Sequence, residues 1–199
     1  MNTASHILMG RFLCRYAEEN YGVRLEETSF VLGNVLPDYS PSFLLRHHYL
    51  DQSGVHVQSM IRHLQARQTS AENNRRCSLS LGIICHFYAD FFCYAHSDRF
   101  TGGFSEHMEY ESALHRYFQE NRERLGSVRF IAQAGQLPQG ENLYGRFEDL
   151  HDSYLRSQVS FGNDLLYAMM ACIDLIVLSS GCAEEEDRIT NHFDHLEAI

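Results

Sequence analysis

The stretch on which the reading turns is residues 85–111, CHFYADFFCYAHSDRFTGGFSEHMEYE. Within it His86, Asp90, His96, His107 and Glu111 stand in the pattern H-x3-D-x5-H-x10-H-x3-E. Residues four apart on an α-helix return to one face about 6 Å further along, so His86 shares a face with Asp90, and His107 with Glu111. Each pair can grip one ion. On a continuous helix His96 would lie about 15 Å beyond His86 and on another face, which assigns it to a different ion. The spacing asks for two metals. Imidazole and carboxylate donors without thiolate match zinc better than calcium or magnesium, and leave manganese and iron open.

Outward from this stretch, apolar residues recur at helical spacing near 3–20, 55–68, 77–95, 104–124, 144–158 and 162–179. Turn signals separate them: Gly33-Asn34 through Pro41 in one loop, Ser97 through Gly103 in a second, and Gly135 through Gly140 in a third. With 44% hydrophobic residues, only 3 Pro and 13 Gly in 199 residues, the chain reads as all-α, one multi-helical domain over 1–199. The apolar run Leu165 to Leu178 contains Asp174 and is short for a bilayer, so it predicts a buried helix, not a transmembrane segment. The acidic run Glu184 to Asp187 reads as the start of a helix, where carboxylates meet the positive end of the dipole.

Lys+Arg 16 against Asp+Glu 26 gives a net charge of −10, which argues against long nucleic acids as partners. Two divalent ions would bring that charge to about −6 and make the field at their site positive. The opening MNTASHILMGRFL has no basic region before its apolar residues, and Arg11 interrupts them. A cytoplasmic protein with reduced thiols is therefore expected. Cys85 and Cys93, eight residues apart on one helix, are about 12 Å apart and beyond disulfide reach.

The five-residue pattern, with Ser5-His6, the loop from Gly33 to Asp38 and Arg46-His47-His48, resembles the zinc-dependent phospholipase C family over roughly residues 5–115. The resemblance implies an all-helical fold that hydrolyses phosphodiesters on a multinuclear zinc site. Carried over, His48, His86 and Asp90 would hold one zinc, with His47 the alternative to His48. His96, His107 and Glu111 would hold a second, and Asp38 would sit by the bridging water as catalytic group and ligand. Secreted members complete a third site with an N-terminal tryptophan, but this chain has no Trp. Two zincs are expected, and the third, which His6 and Asp90 would serve, is left open.

Blander readings compete. Asp38 follows Pro37 in a turn-rich loop, where Asp commonly caps a turn. His115 extends the face of His107 and Glu111 by a turn and reads as surface, with a support behind the ligands as the alternative. Glu148-x-x-His151 supplies half of the paired motif that a di-iron bundle needs. Three protein ligands per ion leave a position for water, which favours an enzyme over a structural zinc site. The expected function is zinc-dependent phosphodiester hydrolysis on a small phosphoester or phospholipid head group. The alternatives are a single-strand nuclease or nucleotidase-like phosphoesterase and a non-catalytic, metal-stabilised helical protein.

Overall fold

The computed structural model describes residues 1–40, 49–65, 71–130 and 143–194, and every regular element among them is helical. In chain order these are α1 (Thr3–Tyr21), α2 (Glu27–Gly33), α3 (Leu36–Tyr39), α4 (Leu50–Gln65), α5 (Ala71–Phe91), a 3₁₀ turn (Tyr94–His96), α6 (Phe104–Gly126), α7 (Leu143–Arg156) and α8 (Phe161–Asp194). The third turn signal, at 135–140, lies outside the described residues, as do His47 and His48.

Local chemistry sets the ends of α1. The Asn2 side chain accepts the Ser5 N–H at 2.9 Å, satisfying a donor that the first turn leaves without a partner. At the other end Gly22 adopts φ 71°, and the Gly22 and Val23 N–H groups fold back onto Glu18 O and Ala17 O. Glycine takes that left-handed conformation without a Cβ penalty.

From 81 to 93 every residue of the α5 segment is buried, which makes α5 the central helix rather than an amphipathic one. Helices α2, α4 and α8 pack around it. Contact with α2 is closest where Gly33 meets Gly82. A Cβ on Gly82 would fall 2.9 Å from Gly33 Cα and overlap Phe30 O. Two glycines therefore let the backbones touch and seat Asn34 beside α5. On the opposite flank Tyr88 stacks on Phe147 of α7 at 4.5 Å, and Phe92 meets the rings of Phe147, Tyr154 and Tyr167. Burying each such ring is worth about 1.5–3 kcal/mol, which anchors the carboxyl end of α5.

Three expectations are corrected. The loop at 33–41 contains the end of α2 and the short helix α3, because Pro37 at its start is pre-set for a helical turn. The segment 77–95 is not one helix: α5 stops at Phe91, and Cys93 is extended before the 3₁₀ turn. The acidic run 184–187 lies inside α8, not at a helix start. Within α8, Phe161–Ser179 is long and apolar enough for a membrane span, with mean hydropathy 1.6, but 61% of it is buried in the protein. It packs on α5 and α7. The cysteines Cys14, Cys77, Cys85, Cys93 and Cys172 are free thiols.

Candidate metal centre

Helix α1 contributes His6, α3 Asp38, and α5 His86 and Asp90; the 3₁₀ turn adds His96, and α6 adds His107 and Glu111. Two donor groups result, each with its ligand atoms within 4.8 Å of one another: His6 with Asp38 and His86, and His96 with His107 and Glu111. Asp90 stands between them. Its Oδ1 is 3.2 Å from His6 Nε2 and 3.8 Å from His96 Nε2, and its Oδ2 is 3.4 Å from His86 Nε2.

The separation of about 15 Å that a continuous helix would put between His86 and His96 is not kept, although the two fall in different donor groups as expected. Because α5 ends at Phe91, the chain turns and returns His96 to the Asp90 carboxylate that His86 faces. His6, expected at a separate third ion, joins His86, their rings stacked at 3.9 Å. His48, expected beside His86, lies outside the described residues. Glu106 caps its own helix through the Gly103 N–H at 2.7 Å, while Glu111 Oε1 meets His96 Nε2 at 2.9 Å and His107 Nε2 at 3.2 Å.

Several supports went unread in the sequence. The His86 Nδ1–H donates to Asn34 O at 2.8 Å, since a carbonyl only accepts, and this leaves the Nε2 lone pair as the metal-ligating atom, on the side of Asp38 and Asp90. The signal available was Gly33-Asn34, which read as a turn and as part of the family resemblance, without a role for the Asn34 carbonyl. Thr3 Oγ1 donates to Asp38 Oδ2 at 3.1 Å, directing Oδ1 towards His86 Nε2, 3.6 Å away. His115, read as surface, is half-buried and lies 3.2 Å from Ser5 Oγ, one residue before His6.

The donor set fits zinc. Ligand bonds of about 2.0–2.2 Å at tetrahedral angles place donor atoms about 3.3–3.6 Å apart, close to the separations of Asp90 from His6 and His86. His6 is fully buried, yet neither ring nitrogen has a hydrogen-bond partner, and Nε2 meets Asp90 Oδ1 outside hydrogen-bond geometry. Buried polar atoms are rarely left so. The Met1 amino group marks the same preference for positive charge: it pairs with Asp90, lies 3.2 Å from Glu111 Oε1 and 3.0 Å from His96 Nε2.

Electrostatics agree. Burial alone would raise the Asp90 carboxyl, but the Met1 ammonium and then His96, His6 and His86 hold it well below the carboxylate range. Burial likewise opposes ionisation of Glu111, yet the His96 hydrogen bond and the Met1 ammonium bring it down to about 2. Burial, and then the Met1 ammonium, lowers His96, against the pull of Asp90 and Glu111.

In a comparison with protein families, residues 5–160 match zinc dependent phospholipase C. No curated protein and no solved structure matches the chain. The family match takes in every residue of both donor groups and Asp90, and the all-helical architecture agrees with it. The chain belongs to the zinc-dependent phospholipase C family.

Proposed function

We propose that this protein hydrolyses phosphodiester bonds on a zinc centre built from His6, Asp38, His86, Asp90, His96, His107 and Glu111. The observation that carries the reading is one buried carboxylate, Asp90, shared by both donor groups. These residues would hold zinc, which would supply Lewis-acid chemistry at the phosphoryl group and a water of lowered pKa.

The chain's own groups orient and move protons. Side chains of His6, His86 and Asp90 are 0% exposed, whereas Asp38 and His107 are each 21% exposed, so the substrate approaches past Asp38 and His107. Asp38 is the general base. Thr3 holds one of its oxygens, and its position at the mouth lets it take the proton of the attacking water as the water approaches phosphorus. His86, fixed by Asn34 O, keeps the Asp38 side of the centre in register. The substrate is a small phosphoester or a phospholipid head group, because a chain of charge −10 offers no general field for a long polyanion.

Turnover of p-nitrophenyl phosphorylcholine and bis(p-nitrophenyl) phosphate tests the reading. Activity should vanish on chelation, return with zinc and fall in Asp38→Asn more steeply than zinc content does, because Asp38 is both base and ligand. A fully zinc-loaded protein that turns over neither compound, nor single-stranded nucleic acid, would establish the non-catalytic scaffold instead. Cleavage of single-stranded nucleic acid alone would establish the nuclease reading.

A further inference from the structure

Outside both donor groups a further acid, Asp164, is fully buried in the first turn of α8. Its Oδ2 accepts the Tyr94 backbone N–H at 3.0 Å and the Tyr110 hydroxyl at 2.9 Å, and its Oδ1 accepts the Tyr154 hydroxyl at 2.9 Å. Two of these donors have informative neighbours. Tyr94 opens the 3₁₀ turn that ends at His96, and Tyr110 immediately precedes Glu111. A single carboxylate thus ties together the two separate segments that deliver His96 and Glu111 to each other. Arg99 reinforces the knot: its guanidinium lies over the Tyr94 and Tyr154 rings, 5.9 and 5.5 Å from their centroids, and donates to Leu155 O at 2.6 Å.

We propose that Asp164 is a positioning residue for the ion held by His96, His107 and Glu111, acting through Tyr94 and Tyr110 to fix the spacing of His96 and Glu111. It sets the affinity of that site without touching the ion. Groups beyond the ligands commonly have this effect, since a site held in shape before binding loses less freedom when the ion arrives. The inference rests on the reading of His96, His107 and Glu111 as cation ligands.

Tyr154 provides the control. It bonds the same carboxylate at the same length as Tyr110, but α7 carries none of the donors. The test titrates metal-free wild type, Tyr110→Phe, Tyr154→Phe and Glu111→Gln with zinc against a chromophoric chelator, alongside thermal unfolding of each metal-free protein. Tyr110→Phe should weaken one of two zinc ions about 10–100-fold and leave the other unchanged. Tyr154→Phe should leave both affinities unchanged while losing a similar amount of thermal stability. Equal loss in the two Tyr variants, or no loss in Tyr110→Phe beside a responsive Glu111→Gln, overturns the positioning role alone. Wild type that binds no zinc, or Glu111→Gln with unaltered zinc binding, overturns the ligand reading and the positioning role with it. Asp164→Asn, where it folds, should repeat the Tyr110→Phe pattern more strongly.

Discussion

The two halves of the candidate metal centre are built in different ways. His96, His107 and Glu111 lie within fifteen residues of one another, and a helical turn already aligns His107 with Glu111. His6, Asp38 and His86 come from α1, α3 and α5 and meet only because those helices pack. In the first group Glu111 is buried and His96 and His107 are partly so, and Asp164 holds it through Tyr94 and Tyr110; in the second, His6 and His86 are fully buried, and Thr3 and Asn34 are the supports. A locally encoded group tolerates shifts of packing, whereas a group assembled from three helices depends on each of them.

Asp90 belongs to both halves, so its loss should erase the contrast. Asp90→Asn is expected to release zinc from both groups and to lower turnover roughly 10³-fold, since metal-ion stabilisation is worth several kcal/mol. Metal analysis of the purified variant checks this; full zinc content would contradict the shared role.

Gly82→Ala should separate the halves. Its methyl group meets Phe30 O and Gly33, pushing α2 and Asn34 away from His86, at a cost of about 1–3 kcal/mol. One ion, that of His6, Asp38 and His86, should be lost first, while the other persists. Zinc absorption spectroscopy combined with thermal unfolding reads both effects.

Acid should act on the other half. In the metal-free protein Glu111 is held at about 2, below the usual unfolded value of about 4.3. Its contribution to stability is therefore present above about pH 4.3 and lost as pH falls through about 2. Thermal midpoints of chelated protein between pH 6 and pH 3 should fall less in Glu111→Gln than in wild type.

His115→Ala should have the smallest effect. It removes the neighbour of Ser5 Oγ, worth about 0.5–1.5 kcal/mol, and should leave both ions bound. Loss of an ion would show that α1 depends on His115 to present His6.

Much of the first half was legible. The i, i+4 pairs, the absence of strand patterning and the helical segments followed from spacing, because helical geometry repeats within one turn. α3 was read as loop and α2 was not read as a helix, since a four-residue and a seven-residue helix carry too little apolar periodicity to register. The support from Asn34 was hidden because a backbone carbonyl leaves no mark on side-chain identity. Asp164 was hidden because two tyrosines and an aspartate far apart in sequence look like core and cap until they converge.

The sequence by itself determined that the chain is helical, that it carries imidazole and carboxylate pairs suited to zinc, and that His107 and Glu111 share a face. Only the tertiary structure decided that His6 and Asp38 join His86, that the chain doubles back after Phe91 to bring His96 to Asp90, and that Asp164 binds the two segments of the second group together. The reason is range. Pairs one turn apart are fixed by backbone geometry, while the meeting of distant helices is fixed by how their surfaces fit, as where Gly33 and Gly82 let α2 and α5 touch.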